Sequence, residues 1–165
     1  MAIQKKQAGA EQLRVNEKKW SKELMATGWT AIPNIIVERQ QALGLDSVDV
    51  NILLHLSTYW WTAESKPHPA KTTIAKAMGV DPSTIRRHIA RLEAGGLIKR
   101  IERREKGEGS AGSKSNIYDF SGLIKAAKPY ALEKAQGLAD KEAIRKIRAA
   151  RKGKPMLKLV AKRDE

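Results

Sequence analysis

Residues 71–100 read "KTTIAKAMGVDPSTIRRHIARLEAGGLIKR" and carry two helical patterns joined by "MGVDP". The first pattern, 71–78, places Ile74, Ala75 and Met78 on one face, and Gly79 offers a left-handed stop. Asp81 is set to cap the next helix, and Pro82 suits its first position, where an N–H would have no partner anyway. That helix is expected over 82–94, ended by Gly95 and Gly96. Ile85, Ile89 and Leu92 mark its buried stripe. At about 100° per residue, Ser83, Arg87, Ala90 and Arg91 fall opposite that stripe, with Thr84 and Arg86 on its flanks. The arginines thus occupy a face for which a core has no use, and small residues beside them let another surface come close.

Downstream, "LIKRIERRE" offers Leu97, Ile98 and Ile101 as strand material, "KGEGSAGSK" is a glycine-rich charged tip, and "SNIYDF" returns with Ile117, Tyr118 and Phe120. This is the pattern of a β-hairpin with a long tip. Upstream, the prolines of "TAESKPHPA" set a loop. Before it, "DSVDVNILLHLSTYWW" reads as a buried helix with Ser47 as cap, Asp49 in the first turn, and Val48, Ile52, Leu53, Leu56 and Trp60 inward. Trp60 and Trp61 suit packing better than a base-stacking platform. "NIIVERQQALG" predicts a helix from Asn34 to the stop at Gly44, and "WTAIP" alternates as a short strand would. "KKWSKELMATGW" predicts a helix with Trp20, Leu24 and Met25 on one side and Gly28 at its end. After the hairpin, Ser121 caps a helix bearing Leu123, Ile124, Ala127, Tyr130 and Leu132, which Pro129 is expected to kink or restart. A second, shorter and very basic helix follows, with Leu138, Ile144 and Ile147 as its apolar side.

The expected architecture is mainly α with a small β-hairpin wing: a winged helix-turn-helix plus C-terminal basic helices. Residues 1–28 form a polar extension, 29–120 the main domain, 121–152 the C-terminal helices and 153–165 a basic tail.

Composition narrows the partner. The 165 residues carry a net charge of +14, and residues 121–165, with 13 basic and 5 acidic side chains, hold more than half of that excess. Such a surplus points to a polyanion, with nucleic acid ahead of an anionic membrane. There is no cysteine, so disulfides, cysteine-ligated zinc and iron–sulfur clusters are excluded. His55, His68 and His88 show no metal-ligand spacing, and no metal or cofactor is expected. No apolar run approaches the roughly 18 residues of a membrane span, and the N-terminus lacks the apolar stretch of a signal peptide. A cytoplasmic, bacterial protein is the simplest reading.

The stretch "PAKTTIAKAMGVDPSTIRRHIARLEAGGLIKRIERR" resembles the bacterial winged helix-turn-helix DNA-binding superfamily, the broad group shared by transcriptional regulators and plasmid or phage replication initiators. "TIAKAMGV" matches the first helix of the motif, "DPSTIRRHIARLE" the recognition helix, and "AGGLIKR" the step into the wing. "SNIYDF" resembles the returning wing strand of replication-associated members, and "LGLDSVDVNILLHL" the helix that packs behind the motif. The likeness covers about residues 29–120. It departs at Ala70, where a serine cap is usual.

The resemblance implies a recognition helix in the major groove of double-stranded DNA. Arg86, Arg87 and Arg91 would then reach base edges or phosphates, while Ser83, Thr84 and the backbone N–H groups beside them would donate to phosphate. Lys71 and Thr73 would touch the backbone from the preceding helix. Arg103, Arg104, Lys106 and Lys114 would serve from the wing. Lys141, Arg145, Lys146, Arg148, Arg151, Lys152 and Lys154 offer a further phosphate-binding element, and the helix starting at Ser121 a dimerisation surface. No G-x-x-x-x-G-K-[ST], H-E-x-x-H or G-x-S-x-G motif occurs and carboxylates are scattered, so no catalytic residue is assigned. Three functions compete. One is a homodimeric regulator of transcription. Another is a replication or partition protein of a mobile element that recruits replication or transcription proteins. The third is a nonspecific architectural or RNA-binding protein led by the basic tail.

Overall fold

The computed structural model describes residues 11, 13–104 and 113–150. Helix α1 covers 13–20, and α2 (Lys22–Ala26) follows after Ser21, whose φ is 86°. Gly28, with φ 109°, comes just after α2. Of the apolar side expected here only Met25 is buried; Trp20 and Leu24 are exposed. The strand expected in "WTAIP" does not form. Residues 29–32 make no backbone hydrogen bond to a neighbouring strand, and a strand without a ladder has nothing to satisfy its peptide groups. Helix α3 (Asn34–Glu38) is shorter than expected and gives way to overlapping turns.

Those turns end in a closure that recurs. Gly44 is left-handed (φ 70°), and the N–H of buried Leu45 reaches back to the Gln40 carbonyl at 2.8 Å. Gly79 and Val80 close the next helix but one in the same way, and Gly96 and Leu97 the one after that, through bonds of 3.0 Å to Ala75 and Leu92. A left-handed glycine followed by an apolar residue that folds back is a Schellman stop.

Helix α4 (Ser47–Ser57) is capped by Asp46, not by Ser47 as expected. Asp46 Oδ1 accepts from the Asp49 N–H at 2.9 Å, and the Asp49 carboxylate accepts from the Asp46 N–H at 3.1 Å, a reciprocal box that serine at position 47 cannot build. Helices α5 (Lys71–Met78) and α6 (Pro82–Ala94) match the expected bounds, with Asp81 capping α6 and Pro82 in its first turn. Strands β1 (Lys99–Arg104) and β2 (Ser113–Asp119) pair antiparallel, Lys99 opposite Asp119 and Ile101 opposite Ile117, with a register shift between Ile101 and Arg103. Lys106 lies outside the described residues.

One core joins these parts. Ile52, Leu53 and Leu56 of α4, Ile74 of α5, Ile85, Ile89 and Leu92 of α6, and Tyr118 and Phe120 from the hairpin share it. Trp60 packs on Phe120 at 5.2 Å between ring centroids, whereas Trp61 is 82% exposed. The Tyr118 N–H bonds the Pro67 carbonyl at 2.8 Å and so ties the hairpin to the loop before α5.

The two expected C-terminal helices are one, α7 (Ser121–Ala150), which runs through Pro129. The proline removes one intrahelical N–H, but the flanking Ala, Lys, Leu and Glu residues are strong helix formers and the helix continues. Leu123 and Ala127 are buried against the body, and Lys134 Nζ pairs with Glu38 at 2.6 Å. From Leu138 to Ala150 every residue is exposed. No helix of the described residues is long and apolar enough to cross a membrane.

Candidate nucleic-acid interface

Helix α6 exposes Ser83, Arg86, Arg87, Ala90 and Arg91 opposite a stripe in which Ile85 and Ile89 are wholly buried. Among the described residues Arg87 has no ion pair or hydrogen-bond partner, so its guanidinium is free to meet a ligand. Arg86 is exposed beside Lys71 of α5.

Arg91 is engaged within the protein. It pairs with Asp46, donates to the Gly44 carbonyl at 2.7 Å and lies 3.2 Å from Asp49. Asp49 is fully buried, and its other oxygen meets His88 Nδ1 at 2.8 Å. Burial pushes the Asp46 carboxyl up, but the Asp49 N–H, Arg91 and His88 outweigh it and hold it below the usual carboxylate range. This network locks α6 to the start of α4. Sequence spacing gave no sign of it, because its members lie 39 to 47 positions apart. Asp46, Asp49 and His88 also lie close enough together to offer a metal three ligands. Arg91 already pairs with both carboxylates there, and a cation would have to displace it.

The first turn of α6 also differs from expectation. The Ser83 N–H donates to Asp81 Oδ1 at 2.7 Å, and the Thr84 N–H to the Asp81 carbonyl at 3.0 Å. The side-chain and backbone bonds from Ser83 hold the Asp81 carboxyl below its ordinary range. These N–H groups are therefore taken, and an ionised acid stands where a phosphate was expected. The Thr84 hydroxyl remains, while that of Ser83 also faces Asp81. The reverse holds at α5: Ala70 provides no side-chain cap, and Lys71 and Thr73 stand at an open helix start. Burial, then Arg100 and Arg86, lower the pKa of Lys71.

In the hairpin, Arg103 ties the two strands together at the loop end of the ladder: Nε donates to the Ser115 carbonyl at 2.7 Å and Nη2 to its hydroxyl at 2.9 Å. A half-buried arginine satisfied by its own hairpin has less reach. Lys114 stands opposite Arg103 in the ladder, and Arg104 opposite Ser113. On α7, Lys141, Arg145, Lys146 and Arg148 are exposed, and Lys146 pairs with Glu142 at 2.9 Å. Arg151, Lys152 and Lys154 lie outside the described residues. Arg100, Asn116 and Tyr118 gather beside Lys71 and Arg86 and were not expected to. Their one sequence signal was the missing cap at Ala70.

Comparison with known proteins agrees with this geometry. Residues 43–98 match the model of a helix-turn-helix domain. The N-terminal domain of DnaD protein from Geobacillus kaustophilus HTA426 is similar at 20% identity and TM-score 0.50, over 74% of this chain and 96% of that one. The transcriptional regulator PA3341 aligns at 20% identity and TM-score 0.36, over 72% and 88% of the two chains. YusO from Bacillus subtilis aligns at 17% and 0.37, over 87% and 95%. No curated protein matches. Helices α4, α5 and α6 in that order, with the tight Gly79–Asp81 turn, give residues 43–98 the arrangement of a helix-turn-helix, and the hairpin follows directly after α6.

Proposed function

We propose that the chain is a sequence-specific double-stranded DNA-binding protein, a homodimeric transcriptional regulator of the bacterial cytoplasm that performs no catalysis. Helix α6 would enter the major groove and the hairpin tip would follow the adjacent backbone or minor groove. The observation that carries this reading is Arg87, exposed and unpaired on α6 among the described residues, with Arg86 beside it. Arg87 is assigned to base reading; an arginine paired with guanine contributes about 1–3 kcal/mol of discrimination. Arg86, Lys71, Thr73 and the Ser83 and Thr84 hydroxyls are assigned to phosphates. Arg104, Lys106 and Lys114 serve from the hairpin, and Lys141, Arg145, Lys146, Arg148, Arg151, Lys152 and Lys154 add sequence-independent attraction. Arg91 and Arg103 position the helix and the hairpin. Exposed Ile124 and Leu132 on α7 favour a second copy as the dimer partner.

A second reading, a replication or partition protein of a plasmid or phage, rests on the resemblance of the "SNIYDF" return strand. Selection of bound duplexes from a random pool at physiological salt separates the two. Half-sites inverted about one helical turn apart support the dimeric regulator, and direct repeats support the replication reading. Binding without a motif, collapsing as salt rises, leaves a nonspecific architectural protein. On the selected site, Arg87→Ala should lose about tenfold or more in affinity, against little on random duplex. An equal loss on both would assign Arg87 to phosphate alone.

A further inference from the structure

A cleft of about 320 Å³ opens between the start of α5, the flank of α6 and the base of the hairpin. Lys71, Thr72, Arg86, Ser115, Asn116 and Tyr118 line it. Two features there lack a partner among the described residues, and a third is a surplus of positive charge. The first is the start of α5. Ala70 is extended (φ −69°, ψ 145°), the conformation of a cap, but has no side-chain oxygen to accept with. The Thr73 and Ile74 N–H groups bond the Ala70 carbonyl, and those of Lys71 and Thr72 point out of the helix end unsatisfied. The second is Tyr118, 1% exposed, whose hydroxyl has no hydrogen-bond partner among the described residues. Tyr118 lines the cleft together with Lys71, and the charges of Arg100 and Glu93 act on both. The third is the crowding of cations. Lys71 feels Arg100 and Arg86, partly offset by Glu93 and Glu102, and Glu93 is itself engaged by Arg100 at 3.5 Å. Burial raises the Tyr118 pKa, so the phenol keeps its proton and remains a donor at neutral pH.

We infer that this cleft binds a single phosphoryl group, held by the Lys71 and Arg86 side chains, the Lys71 and Thr72 N–H groups and the Tyr118 hydroxyl, with the Asn116 amide at its rim. A tetrahedral oxyanion satisfies the open helix start and accepts from the Tyr118 phenol, and it offsets the crowded cations. The start of α6, closed by Asp81, is no rival for it. The phosphoryl group belongs either to a free phosphorylated small molecule or to a DNA strand. The cleft shares Lys71 and Arg86 with the DNA-binding reading above, but its test needs no DNA, so the two can fail separately.

The test is a titration of the DNA-free full chain with inorganic phosphate at constant ionic strength, followed by backbone amide NMR. The expected result is saturable binding, with the Lys71 and Thr72 amides shifting most. Arg86→Ala should weaken it about tenfold or more, because a charge-assisted bond is lost. Tyr118→Phe should weaken it several-fold. Ala70→Ser should also weaken it while raising the melting temperature, because the new hydroxyl caps the same helix start. Arg87→Ala should leave it unchanged. Shifts that never saturate, or equal phosphate affinity in wild type, Tyr118→Phe and Ala70→Ser, overturn the proposal. Once binding is established, a duplex is added. Phosphate displaced by the duplex identifies a DNA phosphate as the occupant; phosphate that stays bound beside it identifies a free phosphorylated ligand.

Discussion

Asp49 shows how a single side chain can orient a binding helix. It is a fully buried carboxylate that meets His88 at 2.8 Å, Arg91 at 3.2 Å and the Asp46 N–H at 3.1 Å. Removing one partner from a buried ionic network leaves the others desolvated and unpaired, which costs far more than a surface pair contributes. Asp49→Ala should therefore destabilise the fold by about 3 kcal/mol in urea unfolding; a loss under about 1 kcal/mol would mean that Arg91 and His88 find water instead. Periodicity placed Arg91 on the outer face of α6, and it is exposed there. What periodicity could not show was that Asp46 and Gly44 lie within reach of that face, because the turn at Gly44 brings them there.

At the scale of elements, α7 is set by its first two residues. The Cβ that alanine would add at Gly122 lies 1.9 Å from the Gly96 carbonyl oxygen, and the Leu123 N–H bonds the Leu97 carbonyl at 2.7 Å. The start of α7 thus rests directly on the turn that ends α6. Gly122→Ala should force the two backbones apart and cost about 2 kcal/mol or more in thermal or urea unfolding; a neutral substitution would show that this turn can give way. Asp119 holds the same junction from the other side. Lys66 at 2.6 Å, then the Ser121 N–H at 2.8 Å, hold its carboxyl at about 2. An unfolded aspartate titrates near 3.9, so the stabilisation is complete above that value and is lost as pH falls through about 2. The stability gap between wild type and Asp119→Asn should narrow steadily between about pH 5 and pH 2 in thermal melts. Lys66 is partly exposed, so the gap at neutral pH should be about 1 kcal/mol or less. A gap that does not vary with pH would remove the charge from the explanation.

For the whole molecule, the separation of α7 into a packed and a free half matters most. Its first half is anchored by Leu123, Ala127 and the Lys134–Glu38 pair, and beyond Gly137 nothing described is buried. Deleting residues 137–165 should leave the melting temperature nearly unchanged. It should also weaken binding to all duplexes alike and lower the salt slope by about 0.9 for each phosphate that the shortened chain no longer neutralises. Unchanged binding and slope would show that the basic C-terminal side chains meet only solvent.

The parts of this fold that follow from short-range rules could be read directly. Helices α5 and α6, the Asp81 cap, the Pro82 start and the glycine stops depend on neighbours a few positions away, and the hairpin on two strands consecutive in the chain; they stand where periodicity and cap chemistry put them. Misreadings came where a distant partner or a competing cap decides: the missing strand at 29–32, the box built by Asp46 in place of Ser47, the early end of α3 and the unbroken α7. The interface divides along the same line. That Arg86 and Arg87 face outward was legible from helical angle alone. That Arg91 and Arg103 are bound by their own protein, and that Lys71, Arg86 and Tyr118 share a cleft, depends on chain segments far apart in sequence, and only tertiary packing brings those together.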